Sequence, residues 1–226
     1  MNQTYGIHPS KALCDLFASM PLPYQGQDPK LARAIFVGLD ANYAPELFEY
    51  PDFRDRILEY HRDGAAFWRR HHVHHPFMLK EYPLKRNSGG VPYHRKFANM
   101  GLGPEYADKI SFVELLPVPT TGSTDRSVFW QLFSLEHGRR LDNLFESSDH
   151  PRAVLLPKSV VGFMLEAKRR YDLFTWLPRS TDWGPIGRVG NTAFFQVRHF
   201  SGSISKDQIN DIGQIVRSFC ATSSPR

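Results

Sequence analysis

The sequence predicts an α/β fold, a three-layer α/β/α sandwich around a four-stranded parallel sheet. Three observations carry that expectation: four short, continuously apolar runs, helix-period segments between them, and polar loop motifs that follow the first and last runs directly. The runs are residues 34–37, 110–116, 154–156 and 193–197. Unbroken rather than alternating hydrophobicity marks strands covered on both faces, and strands that alternate with helices make parallel sheets.

Each intervening segment supports the pattern. Residues 127–145 place Phe129, Leu132, Phe133, Leu141, Leu144 and Phe145 near helical spacing, and residues 159–174 do the same with Val160, Phe163, Met164 and Tyr171. Near the end, Ser205 and Gln208 form a capping box ahead of an apolar stripe of Ile209, Ile212, Val216 and Phe219. Residues 54–90 hold charged side chains, Trp68, a histidine cluster and the pair Gly89-Gly90, and read as a helix followed by a long loop. The ends, residues 1–30 and 221–226, are rich in Pro, Gln and Ser and are expected to wrap or fray.

Composition narrows the class. With 226 residues, 41% apolar and 13% aromatic, the chain can bury one full core, so residues 1–226 are expected to form a single domain and disorder is excluded. Cys14 and Cys220 lack metal or disulfide-framework spacing, which points to a reducing compartment. No 18-residue apolar run and no signal-peptide pattern is present, so a soluble cytoplasmic protein without membrane contact is expected. The net charge of +5 favours polyanionic partners only weakly.

The two loop motifs carry the chemistry. Gly38-Leu39-Asp40-Ala41-Asn42-Tyr43 leaves the first strand, and His199-Phe200-Ser201-Gly202-Ser203-Ile204-Ser205 leaves the last and enters a helix. Strand carboxyl ends are where open α/β sheets build sites, and a helix start with small residues admits a phosphate to its free N–H groups. These motifs resemble the two active-site motifs of the uracil-DNA glycosylase superfamily. Phe112-Val113-Glu114 with Pro119-Thr120-Thr121-Gly122-Ser123 resembles the third-strand segment of its mismatch-specific branch, residues 97–102 resemble the preceding helix end, and residues 154–159 resemble its fourth strand and phosphate-contacting turn. The likeness runs in order from about residue 34 to 219.

The resemblance implies a monomeric, monofunctional DNA glycosylase that needs neither metal nor cofactor and has DNA, with no obligate protein, as its partner. Asp40 would stabilise the oxocarbenium sugar and orient water, and His199 would hydrogen-bond the departing base. Ile204 occupies the wedge position, Phe53 or Phe48 would stack on the flipped base, and Tyr43 belongs to the same pocket motif. Thr121, Ser123, Lys158, Ser159, Ser201, Gly202 and Ser203 would meet the DNA backbone. Two departures bear on substrate. Where the uracil-specific branch has Asp-Pro-Tyr, with a tyrosine that blocks 5-substituted bases, this chain has Asp40-Ala41-Asn42. Where that branch reads uracil with asparagine, the match is Glu114, whose carboxylate accepts from the amino group of cytosine. A 5-substituted cytosine is thus expected. The family includes a phage-defence member that removes α-glucosylated hydroxymethylcytosine, and the same role is expected here.

Plainer roles stand beside these. Asp40 fits a helix N-cap, His199 a core histidine, Glu114 a surface residue or the partner of a buried arginine, and Asn42 a turn. Phe53 and Ile204 fit a core, and Lys158-Ser159 a helix start. His71-His72-Val73-His74-His75 tempts a metal reading, but Pro76 ends any helix there. These histidines with Arg69, Arg70, Lys80, Lys85, Arg86, Arg95 and Lys96 read instead as a basic border for phosphates. Three other functions remain open: uracil or mismatch repair, a catalytically inactive DNA-binding or sensor module, and hydrolysis of free nucleosides.

Overall fold

A computed structural model of the chain describes residues 4–87, 90–179 and 181–221. It opens with strand β1 (Gly6–Ile7), helix α1 (Lys11–Ala18) and strand β2 (Tyr24–Gly26), then enters β3 (Ala34–Gly38), the first of the apolar runs. Helices α2 (Pro51–Arg62), α3 (Gly64–His71) and α4 (Val91–Ala98) lead to β4 (Ile110–Glu114) and the two-residue β5 (Thr120–Thr121). Helices α5 (Arg126–Leu132) and α6 (Leu135–Glu146) precede β6 (Arg152–Pro157), followed by α7 (Lys158–Tyr171), the hairpin β7 (Gly184–Val189) and β8 (Thr192–Val197), and the last helix α8 (Lys206–Ala221).

The main sheet runs β2-β4-β3-β6-β8-β7, six strands where four are expected. The four expected strands are its parallel centre, and β2 and β7 add an antiparallel edge on each side. Neither edge is legible as an apolar run. Gly184–Val189 holds two glycines and a proline and half faces solvent, while Tyr24-Gln25-Gly26 is too short to show a period.

Strand alternation divides the core in two. Ile35, Val37, Val113, Val154, Leu156 and Phe194 pack with Phe129, Leu141, Phe145, Val160 and Met164 from α5, α6 and α7. The alternate set, Ala34, Phe36, Ile110, Phe112, Leu155 and Val197, packs with Phe97 of α4 and Ile209, Ile212 and Val216 of α8. Both strand faces are therefore apolar, which is why the runs are continuous. Phe36 lies 5.1 Å from the Phe97 ring and 5.5 Å from that of Phe112, and truncating such a buried ring to alanine costs about 3–5 kcal/mol. Arg152, fully buried on β6, makes no salt bridge among the described residues. It donates to Pro29 O at 2.9 Å, to Thr192 Oγ1 at 3.2 Å and to Leu144 O, tying three segments together.

Two helix expectations need correction. Residues 127–145 hold two helices rather than one, because Ser134 accepts from His137 N–H and caps a fresh start. Residues 54–71 hold two helices rather than one, because Asp63 caps α3 through Ala66 N–H, and Phe53, Ile57, Phe67 and Phe77 join Leu13 and Phe17 of α1 in a third apolar cluster. The long loop follows as expected: the described residues from 72 to 90 hold a single helical turn, Pro76–Met78, before α4 begins. The capping box forms as expected: Gln208 N–H donates to Ser205 Oγ at 3.2 Å and Ser205 N–H to Gln208 Oε1 at 3.0 Å. Within residues 4–30 the chain forms β1, α1 and β2; residues 1–3, 88, 89 and 222–226, which fall in the expected ranges, lie outside the described residues. No helix among the described residues is long and apolar enough to cross a membrane.

Candidate active site

The four parallel strands all send a residue from their carboxyl ends into one cavity of about 330 Å3. Asp40 follows β3, Glu114 ends β4, Ser159 follows β6 and His199 follows β8. From β3 the chain crosses to β4 on one side, whereas β6 and β8 lie on the other, so the cavity opens at the switch point of the sheet. Its size is that of a small-ligand site, about 300–1,000 Å3.

Asp40 is held by its neighbours. Its Oδ2 accepts from Tyr5 OH at 2.8 Å, from the Thr120 hydroxyl, and at a longer 3.4 Å from the Asn42 amide. Burial, then the nearby Asp40 charge, raises the Tyr5 phenol, so Tyr5 stays a neutral donor. Asn42 also donates to Thr120 Oγ1 at 3.1 Å and Gly122 O at 2.9 Å. Together with the backbone pairs Tyr43 N–H to Thr120 O and Thr120 N–H to Ala41 O, both 2.9 Å, these contacts clamp the first motif to β5. The N-cap alternative for Asp40 is not realised, since its side chain bonds to these hydroxyls and the amide.

His199 faces Asp40 from the opposite loop. Its Nδ1 accepts from Ser201 N–H at 3.1 Å, which leaves the proton on Nε2. His199 is exposed at the mouth of the cavity, yet desolvation by the surrounding loop, reinforced by Lys96, lowers the imidazole below its ordinary value, which favours a neutral donor at pH 7. Lys96 fixes the same loop by donating to Gly202 O at 2.5 Å.

Glu114 has no basic partner among the described residues. Its Oε2 is sealed from solvent and unpartnered among the described residues, and a Cβ at position 38 would lie 1.9 Å from that oxygen, so any larger residue there would push the carboxyl aside. Burial, reinforced by the Asp40 charge, pushes the Glu114 carboxyl well above the usual range. The sequence expectation is an acceptor-only carboxylate; burial beside Asp40 instead favours the neutral acid, a form that donates as well as accepts. Neither plain role for Glu114, surface residue or arginine partner, is found.

The far wall comes from the histidine-bearing region. Tyr60, His75, Phe77, Gly90, Tyr93 and His94 line it. His75 stacks on His94 with centroids 3.5 Å apart, and His74 bonds the His94 ring at 3.1 Å. Phe77 N–H donates to His75 Nδ1, so His75 Nε2–H points to Tyr43 OH at 3.5 Å, and Tyr43 lies 2.8 Å from His61 Nε2. Burial drives all four rings to the neutral form, with His61 and His74 at about 3. The expected basic border therefore loses His74 and His75, which are buried. His71 and Arg70 pair with Glu59, and Arg69 pairs with Asp108. No group of three or more His, Cys, Asp or Glu among the described residues is arranged to hold a metal ion.

Other expected residues fall as follows. Asn42, Tyr43, Ser159 and Ser201 line the cavity. Lys158, Gly202, Ser203 and Ser123 are exposed near its mouth, each adjoining or close in sequence to a lining residue. Thr121 is buried in β5 opposite Gly6, and Ile204 is half-buried against the α8 face cluster. Phe48 and Phe53 do not line the cavity. Phe53 is buried against Tyr82, and Phe48 packs on His8 at 4.5 Å, so aromatic walls come from Phe77, Tyr93 and Phe112 instead. Residues unforeseen in the sequence include Tyr5, Thr120, Tyr60, Tyr93 and His94. Thr120 sits inside a segment already singled out, whereas Tyr5 and Tyr93 carry no sequence signal because their partners are distant along the chain. No protein-family model matches the chain, and no curated protein matches it.

Proposed function

We propose that this chain is a DNA glycosylase of the uracil-DNA glycosylase type, a three-layer sandwich acting as a monomer, that hydrolyses the bond between a flipped base and its deoxyribose. The single observation that carries the reading is that Asp40 and His199, which follow two parallel strands with β6 between them, line one cavity and offer a carboxylate and an imidazole donor. As the bond stretches, Asp40 stabilises the cationic sugar and accepts a proton from the attacking water, with Tyr5 and Thr120 holding it in place. His199 Nε2–H hydrogen-bonds the base oxygen that gains negative charge. Lys158, Ser201, Gly202 and Ser203, all exposed, would take the backbone phosphates, and Ile204, half-buried just ahead of α8, would supply the wedge.

A 5-substituted cytosine is the preferred substrate. Asn42 is tied back to Thr120 and Gly122, so no ring closes the site there, and the cavity continues to Gly90, Tyr93 and His94. Those neutral phenols and imidazoles suit an uncharged, hydroxyl-bearing substituent such as a sugar, which fits a role in defence against modified foreign DNA. The test incubates the protein with duplexes holding uracil, a thymine mismatch, 5-hydroxymethylcytosine or its glucosylated form, then cleaves abasic sites with alkali. Cutting of the modified cytosines is expected, and cutting at uracil alone overturns the substrate assignment.

A further inference from the structure

We infer that Glu114 is the acid of this site: it delivers its carboxyl proton to N3 of the departing cytosine, and this transfer selects cytosine over uracil. The inference rests on the glycosylase reading of the same cavity and adds a residue and a proton path to it.

Three structural facts lead there. The Glu114 side chain enters the cavity from the strand next to the one that delivers Asp40, in the space left by the missing side chain of Gly38. Its Oε2 is buried without a partner among the described residues and is free to meet a ligand edge. The titratable groups around it supply no cation: the phenols of Tyr5, Tyr43, Tyr60 and Tyr93, the acid Asp40, and His137, whose ring nitrogen bonds the Glu114 backbone carbonyl at 2.8 Å. Among the described residues no cation pairs with the carboxyl, which leaves a proton to neutralise it.

A neutral carboxyl presents one donor and one acceptor side by side, matching the N3 lone pair and amino hydrogen of cytosine. As the glycosidic bond breaks, its electron pair moves into the ring and the Glu114 proton passes to N3, so cytosine leaves as a neutral base. Water adds to the sugar carbon and gives its proton to Asp40, completing the 1′-hydroxyl of the abasic site. Glu114 then regains a proton from solvent, Asp40 releases one, and the enzyme is restored. Uracil pairs with the same acid but already carries hydrogen on N3, so it has no in-plane lone pair there to protonate.

The substitution Glu114→Gln separates binding from transfer, because the amide keeps a donor and an acceptor in the same shape yet gives up no proton. E114Q is expected to bind a modified-cytosine duplex as the wild type does and to excise on the order of a hundredfold or more slowly. An infrared difference spectrum, wild type minus E114Q, is expected to show a carboxylic-acid C=O band at pH 7. Ionised Glu114 at that pH, or an E114Q that excises cytosine at the wild-type rate, overturns the inference while leaving the glycosylase reading intact. A wild-type protein that forms no abasic sites on any duplex overturns the glycosylase reading, and the transfer with it.

Discussion

The Ser201 backbone N–H donates to His199 Nδ1 at 3.1 Å, and that contact decides which edge of the imidazole bears its proton. Nε2–H is left to face the cavity as a neutral donor. Because His199 is held below its ordinary pKa of 6.5 by desolvation and by Lys96, single-turnover excision should stay level through pH 7 and fall on the acid side only below that value. Lys96→Ala removes one cause of the depression and should move the acid limb to higher pH. Superimposable pH–rate profiles for the two proteins would show that Lys96 does not act on the ring.

Asp40→Asn should slow excision on the order of a hundredfold to ten-thousandfold while leaving DNA binding intact, since it alters charge and not shape. Tyr5→Phe and Thr120→Val each remove one hydroxyl from Asp40 Oδ2 and should cost less, because the carboxylate keeps the other donor. Rapid-quench excision assays beside binding titrations separate the two effects.

Asn42→Ala should lower stability by about 1 kcal/mol and slow the reaction without altering base preference. Its amide is committed to Thr120 and Gly122, so its part is to hold the Asp40 loop against β5. A changed ranking of uracil against cytosine duplexes in this variant would assign Asn42 to base recognition instead.

Unfolding by urea should be easier at pH 5 than at pH 7. His61, His74, His75 and His94 have folded pKa values lowered below 6.5, so the unfolded chain binds more protons as pH falls through that value and stability drops, by about 1 kcal/mol per pH unit for each ring. Glu114 works the other way. Its folded pKa is raised above 4.5, so its contribution is full below that value and is lost as pH rises. Four rings against one carboxyl give a net rise in stability between pH 4.5 and 6.5, and a flat profile across that window would contradict the buried neutral histidines.

The parallel centre of the sheet was legible because β3, β4, β6 and β8 are buried on both faces, and continuous burial writes an apolar run into the sequence. The capping box at Ser205 and Gln208 was legible because it is closed by residues three apart. Asp40 and His199 could be nominated for the same reason: each directly follows such a strand. The sequence by itself therefore determined the elements whose causes are local. Tertiary structure alone decided the rest. Tyr5 reaches Asp40 across 35 positions and Thr120 across 80, and neither partnership leaves a periodic trace. The protonation of Glu114, the burial of His74 and His75, and the exclusion of Phe48 and Phe53 from the cavity all depend on what the packed chain places around them. Hydration and pairing are properties of an environment assembled from distant segments, and a local pattern of residue types does not specify that environment.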